Sequence, residues 1–204
     1  MGAGLRFGPL GNTTVHLCVD MQGIFTGSSP WAMPWFETIL PNICRLVEQQ
    51  PKYTIFKRFV PPASPEDAGG AWMRYYRKWT NMTLDQLSLD QVDLVSELRA
   101  YVPPARIVDK NVYSPWRFTE LHKILLSADI DTLLVSGGET DVCVLATVLG
   151  AVDLGYRVIV VSDAVCSSSD QAHDAMQSFY SGRLSLQVET AETKEILEEW
   201  SSRN

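Results

Sequence analysis

The sequence is short of the residues that would make metal or disulfide chemistry easy. It has three histidines in 204 residues, His16, His122 and His173, and they are scattered along the chain. It has four cysteines, Cys18, Cys44, Cys143 and Cys166, none in a Cys-x-x-Cys pair, in a chain too large to need a disulfide framework. Basic residues are in deficit, 17 Lys and Arg against 24 Asp and Glu, for a formal net charge of -7. No segment supplies the basic face that phosphate binding needs, so no nucleic-acid partner is expected. No apolar run approaches the roughly 20 residues of a membrane helix, and Met1 to Val15 contain no apolar core of a secretion signal. A soluble, reducing, cytoplasmic setting without membrane contact is expected. No Gly-x-Gly-x-x-Gly follows the first apolar run, which argues against a dinucleotide-binding oxidoreductase.

What is present is globular composition, 46% hydrophobic and 20% charged, enough for one well-buried domain over residues 1–204. Short apolar runs alternate with helical stretches. Strands are expected at Val15–Val19, Tyr53–Phe56, Arg106–Val108, Thr132–Val135, Arg157–Val161 and Leu184–Val188. Helices are expected at about 35–48, 119–127, 141–154, 170–180 and 193–200, with Gly155 closing the third of these. Strands alternating with helices predict right-handed βαβ units, hence an α/β fold of three layers around a doubly wound, mostly parallel, six-stranded sheet. One aromatic-rich insertion, at about 58–90, breaks the rhythm. Trp72, Tyr75, Tyr76 and Trp79 fall on one helical face there, either packed on their own domain or a neighbouring subunit, or covering a pocket.

Ligands of a parallel sheet bind beyond the carboxyl ends of its strands. Asp20 follows the first strand, Lys110 the third, and Cys143 lies five residues past Gly138, where the fourth strand gives way to a helix. A strand-order switch between the first and fourth strands would bring them together. A thiol with a pKa of about 8.5 becomes nucleophilic in positive potential, which a helix N-terminus and Lys110 would both supply to Cys143. Asp20 would serve as general base and then acid, and amides at the helix start as an oxyanion hole.

Val19-Asp20-Met21-Gln22 with Phe25, Lys110-Asn-Val-Tyr113-Ser114, Gly137-Gly-Glu-Thr140-Asp141-Val-Cys143-Val144, and Gly155-Tyr156 leading to Asp163-Ala164 resemble the ordered motifs of the isochorismatase-like cysteine hydrolases over residues 15–200. The resemblance implies an Asp20–Lys110–Cys143 triad, a cis peptide between Gly138 and Glu139, oxyanion donors at the Glu139 and Cys143 amides, and a homo-oligomer, dimer or tetramer. It implies cleavage of a C–N bond in a small amide, carbamoyl or ureido compound through a thioester-type intermediate.

Two departures stand out. Nicotinamidases of the family carry an Asp-x-His…His cluster after the second strand, where this chain has Lys57-Arg58-Phe59-Val60-Pro61. Nicotinamide, a metal and any other cofactor are therefore not expected. Gly138 stands where a branched apolar residue is usual. Phe25, Arg58, Tyr113 and Trp116 are candidate substrate-binding residues, and Arg58 with an aromatic wall would suit a planar or anionic substrate. Cys18 and Cys44 read as packing residues, and Asp163 and Asp141 as local fixers of loop and helix. An isochorismatase-type vinyl-ether hydrolase and a non-catalytic binding protein on the same fold remain alternatives, separated by whether Cys143 is needed and reactive.

Overall fold

The computed structural model describes residues 5–200; residues 1–4 and 201–204, counted in the domain by the sequence reading, lie outside the described residues. Six strands form one parallel sheet: β1 (Thr14–Val19), β2 (Thr54–Phe59), β3 (Arg106–Lys110), β4 (Thr132–Gly138), β5 (Arg157–Cys166) and β6 (Val188–Ala191). Their spatial order is β3-β2-β1-β4-β5-β6, with the switch between β1 and β4. Every residue of β1 and β4 is buried. That is why both read as continuous apolar runs: a parallel sheet is covered on both faces.

Among the described residues the α-helices are α1 (Phe36–Gln49), α2 (Ala71–Lys78), the single turns α3 (Leu89–Val92) and α4 (Ser96–Arg99), α5 (Leu121–Ser127), α6 (Cys143–Asp153), α7 (Asp170–Ser178) and α8 (Thr193–Glu199). Side chains alternate across a strand, so the sheet has two cores. Phe36, Ile39, Leu40, Ile43, Leu46 and Val47 of α1, with Ile196 of α8, cover Cys18, Phe56, Leu134 and Ile159. On the other face, Leu121 and Leu125 of α5 and Val144 and Val148 of α6 cover Leu17, Val19, Ile55, Leu133, Val135 and Val158. Gly155 follows α6 with φ 84°, the left-handed stop expected of a C-terminal glycine.

Several boundaries differ from the sequence reading, the start of β6 and the end of β5 by the most. β6 starts at Val188, not Leu184, because α7 runs on into a π-helical turn, Phe179–Arg183. The chain then turns back through Leu184, whose carbonyl accepts from the amides of Gln187 and Val188, both at 2.8 Å. β5 continues to Cys166 because a register shift against β4 between Val135 and Gly137 lets Val165 and Cys166 pair with Gly137 and Gly138. The insertion packs on its own domain: Tyr76 is buried, and Trp72, Tyr75 and Trp79 lie against the α1-side core.

The shift leaves Gly137 at φ 98° with a Cβ position that overlaps the backbone of Val19. Neither strand can yield without breaking the sheet at its centre. Gly137→Ala is expected to destabilise by about 3 kcal/mol, lowering Tm by about 6–12 °C in thermal denaturation. An unchanged Tm would refute this account of the β1–β4 junction.

Candidate active site

The switch point sets β1 beside β4, so the residues that leave them meet at one edge of the sheet. Asp20 leaves β1 with φ 56°, a left-handed conformation that non-glycine residues seldom adopt, and its amide donates to the carbonyl of Lys57 at 2.8 Å. Gln22 pins this turn. Its Oε1 accepts from the Phe59 amide at 2.6 Å, and its Nε2 donates to the carbonyls of Phe59 at 2.9 Å and Val92 at 2.5 Å. Lys110 ends β3, one strand beyond β2, so its side chain has to reach across β2, since neighbouring strands stand about 4.8 Å apart. It does so over the ring of Phe59, with Nζ 4.8 Å from the centroid. Cys143 is the first residue of α6.

Lys110 Nζ lies 2.7 Å from Asp20 Oδ2 and 3.3 Å from Cys143 Sγ. All three groups are buried. The other oxygen of Asp20, Oδ1, has no partner of good hydrogen-bond geometry among the described residues, and the Cys143 thiol is the donor near the carboxylate. Burial opposes the Lys110 charge, but the Asp20 carboxylate and the Cys143 sulfur outweigh it and hold the ammonium charged. Burial raises the Asp20 pKa, with Lys110 pulling it back. Burial also pushes the Cys143 thiol well above its ordinary 9.0, the neighbouring Asp20 adds to this, and Lys110 offsets only part.

Lys110 is the ammonium in contact with both acidic groups, and it supports one anion. With an ordinary pKa of 3.8 against 9.0, that anion is Asp20. Burial and Asp20 together therefore favour a neutral thiol, against the ionised one expected from Lys110 and the helix: the carboxylate that serves the sulfur also opposes its charge.

A second lysine, which sequence reading assigned no role, lies under the triad. Lys57 is fully buried, and its Nζ has no hydrogen-bond partner among the described residues. Burial, followed by repulsion from Lys110, lowers its pKa from 10.5 to about 7, against the pull of Asp20 and Asp109.

The sulfur opens on a cavity of about 270 Å³ lined by Phe25, Trp31, Phe59, Tyr75, Trp79 and Tyr113, with Pro30, Glu139 and Ser168. A larger hollow, about 600 Å³, lies against Trp72, Tyr76, Asp109 and Phe118, but Cys143 is not among its lining residues. Phe25 and Tyr113 thus stand where the sequence placed them, whereas Arg58 and Trp116 do not line the cavity. Arg58 lies on the other side of β2 from Lys57. It is held by Asp109 through two bonds of 2.8 and 3.0 Å and by Asp93 at 2.9 Å. Trp116 stacks on Tyr156, fills the space over Gly150 and donates Nε1 to the Thr147 carbonyl at 2.9 Å, which makes it a packing residue of α6.

The loop before Cys143 is clamped from several sides. The Gly138–Glu139 peptide is cis. The Glu139 carbonyl accepts from the amides of Val142 and Val144 at 3.1 and 3.0 Å. Thr140 is tied by its amide to the Cys166 carbonyl at 2.9 Å, by its carbonyl to the Tyr180 hydroxyl at 2.8 Å, and by its hydroxyl to His173 Nδ1 at 2.9 Å. Asp141 is bound to the Ser167 hydroxyl. Asp163 accepts from the Thr193 amide and hydroxyl at 2.7 Å each and from Asn42 at 3.0 Å, fixing α8 and α1. A Cβ at Gly138 would overlap the Met33 side chain, so Met33 fills the room that a branched residue at 138 would take. His16 is a core residue 2.7 Å from Ser136 Oγ, with burial lowering its pKa to about 3. His122 meets the Tyr156 hydroxyl at 3.0 Å. Among the described residues no group of three or more His, Cys, Asp or Glu is placed to hold a metal ion, and no helix is long and apolar enough to cross a membrane.

The fold is that of the isochorismatase-like hydrolases. The isochorismatase domain family model matches residues 14–192, and the chain belongs to that family. Among curated relatives, Nicotinamidase 3 of Arabidopsis thaliana is 26% identical over 162 residues, covering 78% of this chain and 76% of that protein. N-carbamoylsarcosine amidase of Arthrobacter is 28% identical over 166 residues, covering 76% of this chain and 60% of that protein. The crystal structure of a cysteine hydrolase from Pseudomonas syringae pv. phaseolicola superposes with a TM-score of 0.82 at 24% identity over 98% of both chains, which shows a shared fold.

Two predictions follow from the geometry. Lys57 takes up a proton in the unfolded chain below pH 10.5 but in the folded chain only below about pH 7, so its contribution to stability rises with pH between those values. Lys57→Met is expected to be more stable than wild type near pH 6 by about 2–4 kcal/mol, with the gap closing towards pH 10. A pH-independent gap in Tm would show that the amine is not the cause. At Gly138, Val alone should destabilise, and Met33→Ala should recover part of the loss. Additive losses in a double-mutant cycle would refute the proposed steric exchange.

Proposed function

We propose that the protein is a cysteine amidohydrolase that splits the C–N bond of a small amide, carbamoyl or ureido compound. The observation that carries this reading is the ammonium of Lys110, 2.7 Å from Asp20 and 3.3 Å from the sulfur of Cys143, at the wall of a cavity. Membership of a family with amidase relatives supports it.

In this reading Asp20 takes the thiol proton as Sγ attacks the substrate carbonyl, so thiolate character develops only when the carbonyl carbon can receive it. Lys110 stays charged and stabilises the negative charge wherever it rests. The amides of Glu139 and Cys143, at the mouth of α6, donate to the tetrahedral oxyanion, each worth about 10²–10³ in rate. Asp20 then gives its proton to the departing nitrogen, the C–N bond breaks, and a thioester (or thiocarbamate) remains. A water attacks it with Asp20 again as base, releasing the acid and restoring the thiol.

The test is ammonia release over a panel of amides, ureas and carbamoyl compounds. Cys143→Ser and Cys143→Ala are expected to lose at least about 10³-fold in kcat/KM for any substrate found. Ammonia release that survives Cys143→Ala would remove Cys143 from the role of nucleophile, whereas cleavage of a vinyl ether that survives Cys143→Ala, with no ammonia released from the panel, would favour a vinyl-ether hydrolase. The acid limb of the kcat/KM profile should lie above the ordinary carboxylate value of 3.8, because burial raises Asp20. A limb at or below that value would remove Asp20 from the role of base.

A further inference from the structure

We infer that the cavity selects an amide or urea that carries a positive charge at the end remote from the scissile bond: an alkylammonium, pyridinium or guanidinium group. The inference rests on the amidohydrolase reading for the reacting end of the substrate, and on the cavity wall for the other end.

That wall is built of rings. Trp31 is its centre, with ring centroids 6.3 Å from Phe25, 6.1 Å from Phe59, 5.8 Å from Tyr75 and 6.4 Å from Trp79. Tyr113 faces the same space. Aromatic faces carry the negative end of the ring quadrupole and attract cations that have given up water. The site already shows this: Phe59 carries the ammonium of Lys110 at 4.8 Å.

Charge on the wall has one sign. Glu139 is the acidic side chain lining the cavity; burial raises its pKa, and Ser168 counters this through its hydroxyl and its amide, the latter at 3.3 Å from Oε1. No ion pair engages it among the described residues, and no basic side chain lines the cavity, Lys57 being buried beneath the triad. Lys110 is bound to Asp20 at 2.7 Å, and Arg58 is held outside the cavity by Asp93 and Asp109. A substrate carboxylate would therefore meet aromatic rings and a second carboxylate with no counter-charge, which is costly wherever its water is displaced. A cation would meet both attractions at once, and the chain's net charge of -7 steers cations inward. The anionic substrate suggested by Arg58 in the sequence is corrected, because the residue that would have received it faces elsewhere.

The test uses three amides of one shape: the 1-methyl-3-carbamoylpyridinium cation, neutral benzamide and anionic 3-carbamoylbenzoate. Binding to Cys143→Ala is read by tryptophan fluorescence or calorimetry, so that no turnover is required. The cation is expected to bind about 10-fold more tightly than benzamide, with the anion weakest. In the Glu139→Gln, Cys143→Ala protein, the cation-to-benzamide ratio should fall severalfold. Equal or tighter binding of benzamide or the anion, a ratio unmoved by Glu139→Gln, or no saturable binding of the cation at millimolar concentration would each overturn the inference. Cys143-dependent hydrolysis of benzamide without cation preference would sink charge selection and leave the amidohydrolase reading intact. Cation-selective binding in a protein that hydrolyses no amide would do the reverse.

Discussion

Everything at the candidate site depends on one buried ion pair, Lys110 with Asp20 at 2.7 Å, both side chains essentially out of water. A charge in such a place survives only with a partner, and loss of one member strands the other at several kcal/mol. The pair therefore fixes the number of charges the site can hold, and so decides the state of the sulfur beside it. A thiolate would make two anions against one cation. In the proposed function the thiol stays neutral until a substrate carbonyl arrives, which suits a nucleophile that has to be unreactive toward everything else.

The framework around the pair keeps it in register. Gln22 bonds the exit of β1 to the exit of β2, the left-handed turn at Asp20 aims the carboxylate, and Phe59 supports the lysine that crosses above it. Gly137 lets β4 pass close enough to Val19 for α6 to start beside Asp20. Each of these contacts is made by a strand end or by the residues just after it. The same edge of the sheet thus carries both the sheet's closest backbone approach and the charges that it has to bury.

Much of this was legible in the sequence. The continuous apolar runs announced a parallel sheet, and the polar residue after each run marked where Asp20, Lys110 and Cys143 would meet. The rest depended on which face a side chain takes and what it touches. Arg58 reads as a candidate substrate group and Lys57 has no role in the sequence, yet strand alternation buries Lys57 and sends Arg58 to two aspartates. Trp116 follows Tyr113 closely but belongs to the packing of α6. Trp31, the hub of the cavity wall, lies in the loop before α1, where no periodicity singles it out. Glu139 was read only for its backbone amide, and nothing local reveals that its side chain is the acid lining the cavity. The turn at Leu184 displaced β6 because a π-helical continuation of α7 leaves no mark in hydrophobic spacing.

The most direct measurement of the central claim is the ultraviolet titration of the Cys143 thiolate, taken as the difference spectrum between each protein and its Cys143→Ser counterpart. The account predicts no thiolate at neutral pH in the wild-type protein. It also predicts that Asp20→Asn, which removes the competing anion and leaves the Lys110 ammonium, moves the thiolate pKa downward. A thiolate already present at neutral pH in wild type, or a pKa that stays or rises in Asp20→Asn, would contradict it.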